Sequence, residues 1–514
     1  MTTTTAPLEL PRRVSELPLR WSAETPDAIA YDTRSGRFTW GEVGAAITRT
    51  AARLTALGVR PGDRVMVISE NGIGTVVLFF AITHLDAWAS IVNARMSERE
   101  IATMRDFAGV RTVIYAVDDS PAAARHAAAL ADLQSIEDPL FGRALATPAD
   151  AASVAEPVQA SNDQIAVLTF TSGTTGAPKA VMLSHRAVSY TAYSQCLSRH
   201  LTPGDGIYIV SPLSHSIGLS SNLLAAAMAG AKAILATGFD PAHMTRSILD
   251  GDATFLVAVP QLFSRLLDYA EAQRIDLRQG HVRALACGGA ALDPTLKQRI
   301  QAAFGVAIGN GYGATEMVPV CRVPDGVDVE ANVVGVAQPG VEIRLMGNDG
   351  TDAAEGETGE IWVRGPSLMS GYYRNPQATA EVMRPGGWLA TGDLGQRDAD
   401  GHYRIVGRLK ELIIRSGFNV YPIEVESVLG SHPAVGQSAV VGRDVPGNEE
   451  VVAFVQLLPG RQATAEELTT YLRDQLAPYK IPVEIRIGEL PIGPTGKIMK
   501  SALKREAQNT PLAS

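Results

Sequence analysis

Ile165-Ala-Val-Leu-Thr-Phe-Thr-Ser-Gly-Thr-Thr-Gly-Ala-Pro-Lys-Ala-Val-Met-Leu183 is an apolar run, a polar turn and a second apolar run. The nine central residues, Thr171 to Lys179, carry four hydroxyls, two glycines and one lysine. Hydroxyls and glycine amides donate hydrogen bonds to phosphoryl oxygens, and the lysine adds a mobile positive charge. The stretch is not a Walker A loop. In the frame from Gly173, Pro178 stands where the second glycine is needed and Ala180 where Ser or Thr is needed. Ile165–Phe170 and Ala180–Leu183 both read as strands, and a helix starts only afterwards with Ser184 as its N-cap. A phosphate loop between two strands has no helix dipole to use, so its side chains and amides must do the holding. A Ser/Thr/Gly-rich surface turn is the alternative reading.

Outward from this loop the chain alternates short apolar runs with longer amphipathic stretches. Asp63–Ser69, Val113–Ala116, Ile207–Val210, Ala233–Leu235, Phe255–Ala258 and Val282–Ala286 have the strand pattern. A helix is expected from about Gly72, with others over Pro260–Ala272 and Asp293–Phe304. That alternation predicts layered α/β structure with mainly parallel sheets. From Val341 to Arg364, Gly/Asp/Asn turns predict a small antiparallel unit. Near Leu409 a third texture begins. A strand at Leu412–Ile414, a helix at Pro422–Leu429, strands at Gly436–Gly442 and Val451–Leu458 and a helix at Ala463–Leu476 fit a small α+β domain. Ala152–Asn162, small and polar, reads as an exposed connection.

With 514 residues at least two domains are expected, and 46% hydrophobic with 19% charged residues is the composition of a soluble globular protein. A net charge of -9 and a pI near 5.6 argue against a nucleic-acid surface. Cys196, Cys287 and Cys321 are too few and too scattered for a disulfide framework or zinc site, so core packing is expected. The polar start of the chain resembles no secretion signal. The apolar stretches Val76–Ile82 and Ser220–Ala236 are too short or too interrupted to span a bilayer and read as buried helix. A cytoplasmic location without integral membrane contact is the expectation. Oligomeric state stays open, a homodimer being one option.

Four further groups carry chemistry. Gly311-Tyr-Gly-Ala-Thr-Glu316 offers an aromatic face, a hydroxyl and a carboxylate that could stack a base, touch phosphate and hold a hard cation; alone, a glycine turn with a solvated Glu is the preferred reading. Trp388-Leu-Ala-Thr-Gly-Asp-Leu394 sets Asp393 after an expected tight turn, where it could accept from a ribose diol or make an Asx-turn. Tyr403-Arg-Ile-Val-Gly-Arg-Leu-Lys410 puts two cations at the texture boundary, and Pro494-Thr-Gly-Lys497 presents a lysine on a turn. A solvated linker and an ordinary surface lysine are the alternatives there.

Taken together, these motifs resemble, in order and spacing, those of the adenylate-forming superfamily of acyl-CoA synthetases, luciferases and peptide-synthetase adenylation domains. The resemblance runs from about Ala23 to Leu503. Asn93-Ala-Arg95 and Ser416-Gly-Phe-Asn-Val-Tyr-Pro422 are most similar to bacterial aryl- and medium-chain acyl-CoA ligases, relatives of 4-chlorobenzoate- and 4-coumarate-CoA ligase. It implies a large N-terminal domain over 1–408, built of layered α/β sheets with a small β subdomain, and a mobile α+β lid over 409–514. It implies that ATP converts a carboxylic acid to an acyl-adenylate, and that the CoA thiol then displaces AMP.

Residue by residue, the resemblance implies that Thr171, Ser172, Gly173, Thr174, Thr175, Gly176 and Lys179 hold the β- and γ-phosphates. Thr315, beside Gly313, meets the α-phosphate, and Glu316 ligates Mg²⁺. Tyr312 packs on adenine with the backbone of Gly289, Ala290 and Ala291, while Asp393 takes the ribose with Arg408 beside it. Lys497 bridges carboxylate and α-phosphate, with Thr171 and Glu316 counted among the catalytic groups. Rotation about a hinge at Lys410 then removes Lys497, after which Ser416, Gly417 and Phe418 line the pantetheine tunnel. Gly417 is expected because only a residue without a side chain leaves room.

For the acyl group, Pro212-Leu-Ser-His-Ser-Ile-Gly218 resembles the family segment whose histidine borders the acid, with Ser214 replacing the usual aromatic. His215 as a core histidine is the alternative. Val259, Gly288 and Gly311 are candidate walls, and Tyr190 or Tyr193 is expected to close the far end. No cationic cluster awaits a second carboxylate, so an apolar monocarboxylate, aryl or medium-chain, is expected, with Arg265 and Arg299 as the residues able to change that. A carrier-loading or luciferase-like enzyme is the alternative function, although no fused carrier domain is evident.

Overall fold

The computed structural model describes residues 10–171, 179–289, 292–347, 349–492 and 498–509. Strands Arg64–Ser69, Trp88–Asn93, Thr112–Tyr115 and Ile165–Thr171 run parallel within an eight-stranded sheet. Lys179–Ser184 returns antiparallel beside Ile165–Thr171, and the two-residue strand Gly371–Tyr372 pairs on its outer side.

A second sheet has 14 strands. Its parallel half runs, side by side, through Ile29–Thr33, Lys232–Leu235, Gly206–Ile209, Phe255–Ala258, Ala284–Gly288 and Ile308–Ala314. From there pairing turns antiparallel through Met317–Arg322, Val333–Ala337, Tyr403–Arg408, Trp388–Arg397, Gly359–Arg364 and Glu342–Met346. The antiparallel unit expected over 341–364 is thus present and grows directly out of the large sheet.

One core joins the two sheets. It takes Val65, Val67 and Ile114 from the first, Ile207, Ile209 and Ala233 from the second, and Trp40, Phe79 and Phe80 from helices between. Helix Ile73–His84 is buried from Ile73 to Thr83, which is why its sequence is apolar all round rather than striped. Among the described residues no helix is long and apolar enough to cross a membrane.

The expected helix over 220–236 needs correction. A π-helix covers Ile217–Leu223, an α-helix Leu224–Ala229 and a strand Lys232–Leu235, with Gly230 at φ +72° ending the helical part. Three consecutive alanines and flanking leucines favour helix, whereas Lys232–Leu235 is drawn out by pairing with strands on both sides.

Local chemistry sets the helix starts. Thr39 with Glu42, Ser97 with Glu100 and Thr464 with Glu467 form capping boxes. Ser184 accepts from the Ala187 amide to open helix His185–Arg199, as its sequence predicts.

Near the C-terminus, helix Pro422–Gly430, strands Val435–Val445 and Asn448–Leu457, and helix Ala465–Arg473 share a core of Val440, Val451, Val455, Leu468 and Leu472. Strands Phe418–Val420 and Glu484–Ile487, not expected from sequence, complete a hairpin and a three-stranded sheet. The three cysteines are free, Cys287 and Cys321 being buried.

Candidate active site

The mouth of the hydroxyl-rich loop is closed by an antiparallel pair. Thr171 stands opposite Lys179, and its hydroxyl donates to the Lys179 carbonyl at 3.4 Å. Of the loop between them, Ser172, Gly173, Thr174, Thr175 and Gly176 lie outside the described residues.

Gly311–Ala314 ends strand Ile308–Ala314, and Thr315 with Glu316 forms the two-residue turn into Met317–Arg322. Gly313 is required for packing, since a Cβ there would come within 2.9 Å of the Val318 side chain. Tyr312 donates its hydroxyl to Asp393 Oδ2 at 2.6 Å, and Arg408 Nε meets Asp393 Oδ1 at 2.9 Å.

Asp393 is therefore not an Asx-turn residue after a tight turn, as the sequence suggests. It lies inside the ten-residue strand Trp388–Arg397, directly across from Arg408 in the register. The local bend is made by Gly392 at φ +73° and by the Thr391 hydroxyl, which accepts from the Asp393 amide, leaving the carboxylate free to point at its partners. Burial pushes the Asp393 carboxyl above its ordinary range, against the pull of Arg408 and Tyr312, and the negative charges of Glu411 and Glu316 add to the rise. Burial, then the Asp393 charge, keep the Tyr312 phenol protonated, and Asp393 raises the pKa of Arg408.

Tyr372 is the residue that sequence reasoning missed. Its hydroxyl donates to Glu316 Oε1 at 2.7 Å, and the Lys179 ammonium lies 5.0 Å from its ring centroid. The Met369 amide also donates to the Glu316 carbonyl at 2.8 Å. The available signal was Gly371-Tyr372-Tyr373, an aromatic pair after a glycine, between strand Gly359–Arg364 and helix Pro376–Val382.

A divalent cation fits this donor set. Glu316 offers a carboxylate with one oxygen engaged by Tyr372, and Glu316 and Glu411 crowd negative charge around Asp393, which a cation would relieve.

The residues expected to border the acyl group lie at or beyond the carboxyl ends of the parallel strands, where ligands of such sheets sit. Gly288 ends its strand opposite Gly311, Val259 caps helix Pro260–Gln273, and His215 follows strand Gly206–Ile209 just before the π-helix. His215 Nδ1 accepts from the Ile217 amide at 3.3 Å. Among the described residues, a Cβ on Gly288 would meet only the Gly311 carbonyl, at 3.9 Å. Gly289 is exposed with φ +80°; Ala290 and Ala291 lie outside the described residues. Tyr193 lies beside Tyr190, ring centroids 6.0 Å apart, and the Tyr190 hydroxyl is spent on the Pro339 carbonyl. Arg299 is held by Asp268 at 2.9 Å and Glu271 at 3.1 Å, and Arg265 stacks on Phe239.

Lys410 is exposed in the 3₁₀ turn Leu409–Glu411, directly after Arg408 and Leu409. Lys500, at the start of helix Lys500–Gln508, reaches Glu411 and Glu426, both at 2.8 Å, and so ties this turn to its own helix and to helix Pro422–Gly430. Lys497 lies outside the described residues.

At Gly417 the backbone supplies a reason for glycine besides the room that the resemblance implies. Among the described residues nothing lies within 4 Å of a Cβ placed there. Ser416 at φ +52° and Gly417 at φ +81° form the two-residue turn between Ile413–Arg415 and Phe418–Val420, a conformation that favours glycine. Phe418 stacks on Tyr479 at 4.7 Å.

The family described as AMP-binding enzyme matches residues 19–373, and its C-terminal domain matches 424–497. A feruloyl-CoA synthase from Amycolatopsis sp is 33% identical over 496 residues, covering 95% of this chain and 98% of that protein. ATP-bound MatB from Rhodopseudomonas palustris superposes with a TM-score of 0.84 at 29% identity, covering 96% of this chain and 99% of that one. The anthranilate CoA ligase AuaEII, solved with anthranoyl-AMP, gives 0.85 at 25% identity, with 98% of each chain covered. The chain belongs to the AMP-binding enzyme family and is an AMP-forming acyl-CoA ligase.

Proposed function

We propose that this ligase activates an apolar monocarboxylic acid, aryl or medium-chain, and that the residues gathered around Asp393 hold the nucleotide. The convergence of Tyr312, Asp393, Arg408 and Glu316 carries this reading, because it supplies an aromatic face, a ribose acceptor, a cation and a metal-binding carboxylate in one place.

In the first step a carboxylate oxygen of the acid attacks the α-phosphorus of ATP. The bond to the bridging oxygen breaks, and pyrophosphate leaves with that electron pair. Negative charge builds on the phosphoryl oxygens, so donors and cations must already be in position. Lys179 and the Thr171–Gly176 loop hold the leaving pyrophosphate, Thr315 meets the α-phosphate, and Lys497 steadies the incoming carboxylate. Glu316 would hold Mg²⁺, which when bound would neutralise part of the polyphosphate charge.

In the second step the CoA sulfur, its proton lost, attacks the acyl carbonyl carbon, and AMP departs with the carboxylate oxygen. Residues 409–514 act as a lid turning about Lys410, which exchanges Lys497 for Ser416, Gly417 and Phe418 over residues 1–408. An exposed turn between the large sheet and the Ile413–Val420 hairpin supports a hinge there.

The glycine edge at Gly288 and Gly311 suits a flat or slender acyl tail, with His215, Val259 and Tyr193 around it. Arg299 is engaged by carboxylates and Arg265 by an aromatic ring, which supports a tail without a second charge. Free cysteines and use of ATP and CoA favour the cytoplasm. An acid panel with ATP, Mg²⁺ and CoA tests the reading. Benzoates, cinnamates and medium-chain fatty acids should give thioester and AMP; preferential use of dicarboxylates would refute the pocket assignment.

A further inference from the structure

We propose that Tyr372 is a positioning residue for the first half-reaction, fixing Glu316 for its cation and parking Lys179 at the mouth of the phosphate loop. The proposal rests on the reading of Glu316 as a metal ligand.

Tyr372 sits on a two-residue strand that pairs with Lys179–Ser184, the strand leading out of the loop. Around it the Ser370 amide donates to Met182 and the Tyr373 amide to Ala180, so the segment is stitched to that strand over several residues. The Tyr372 amide donates to the Thr379 hydroxyl at 2.9 Å, which fixes its backbone from the other side. From this anchored position the ring is buried, 6% exposed, with its hydroxyl on Glu316 and its face under Lys179.

The two contacts do different things. A carboxylate rotates freely unless one oxygen is held; a donated hydrogen bond on Oε1 leaves Oε2 directed and available to a cation. Burial and the Glu316 charge raise the phenol pKa, so the hydroxyl remains a donor. The ring face attracts the Lys179 ammonium and keeps this long side chain near the loop before a nucleotide arrives. Lys179 addresses the negative charge of the pyrophosphate directly and Glu316 addresses it through a cation, so one anchored side chain presets both.

Tyr372→Phe removes the hydroxyl and keeps the ring; Tyr372→Leu removes both; Glu316→Gln tests the metal assignment itself. Binding of Mn²⁺ to the full chain is measured by electron paramagnetic resonance in the presence of α,β-methylene ATP, together with both half-reactions. Glu316→Gln should weaken Mn²⁺ binding most. Tyr372→Phe should weaken it about tenfold, the order expected for a lost hydrogen bond to a charged group. Tyr372→Leu should in addition raise the KM for ATP. In each Tyr372 variant the pyrophosphate-forming half-reaction should fall at least several-fold more than thioester formation from supplied acyl-adenylate. Normal Mn²⁺ binding in Tyr372→Phe with weakened binding in Glu316→Gln overturns the role of Tyr372. Normal binding in both overturns the reading of Glu316. Equal loss in both half-reactions makes Tyr372 a folding residue and overturns its positioning role.

Discussion

Replacing Asp393 with asparagine keeps the outline of a buried side chain and removes its charge. Asp393 accepts from Tyr312 at 2.6 Å and pairs with Arg408 at 2.9 Å. The Arg408 side chain is 60% exposed, so solvent screens that pair and its loss costs little. The larger effect falls on the ribose. Two hydroxyls donating to a carboxylate become two hydroxyls donating to an amide, a change of about 1 kcal/mol each, since bonds to charged groups exceed neutral ones by roughly that much. A total near 2 kcal/mol corresponds to a roughly 30-fold rise in the KM for ATP. The ribose does not react, so kcat should stay within about threefold. Pyrophosphate exchange at varied ATP, with calorimetric AMP binding, measures both quantities. A KM change below about threefold, or a kcat loss at constant KM, would refute the ribose assignment.

Other outcomes follow from the same geometry. Asp119 accepts from the Thr75 amide at the start of helix Ile73–His84, and burial pushes its carboxyl up to about 6. The folded state then binds this proton more tightly than the unfolded chain, so its contribution falls as pH rises from about 4 to about 6, by up to roughly 3 kcal/mol. Urea unfolding of Asp119→Asn against the parent should show the variant gaining relative stability over that window; parallel curves would contradict it. Lys500→Met strands Glu411 and Glu426 and should cost about 2 kcal/mol, discounted from a fully buried pair because the lysine keeps some solvent contact; a loss below about 0.5 kcal/mol in denaturant unfolding would count against the latch. Gly288→Val should fold normally, its Cβ meeting only the Gly311 carbonyl among the described residues, yet raise the KM for bulky acids severalfold while leaving that for ATP alone. An unchanged acid profile would move the acyl edge elsewhere.

What the sequence made legible was whatever is encoded locally. Ile165–Thr171 and Lys179–Ser184 are readable as strands because each is a continuous apolar run, and Ser184 as a cap because capping involves neighbours three residues apart. Contacts set by register are hidden. Nothing local in Trp388–Leu394 announces that Asp393 faces Arg408 across a sheet, or that the expected turn is a kinked strand. Tyr372 and Glu316 are 56 residues apart and meet only because a two-residue strand docks beside Lys179–Ser184. Gly417 carries a cause that the motif does not announce, since the positive φ of its two-residue turn itself favours glycine. The π-helix after His215 likewise has no periodic signature that separates it from an α-helix in so short a buried stretch.

The acyl-adenylate route is tested most directly by following the oxygen of the acid. Benzoate, or the best acid from the panel, carrying heavy oxygen at both carboxylate positions is turned over with ATP, Mg²⁺ and CoA, and the products are weighed by mass spectrometry. Attack of the carboxylate on the α-phosphorus transfers one labelled oxygen to AMP and leaves the other in the thioester. Unlabelled AMP, or label found in phosphate or pyrophosphate, would contradict it.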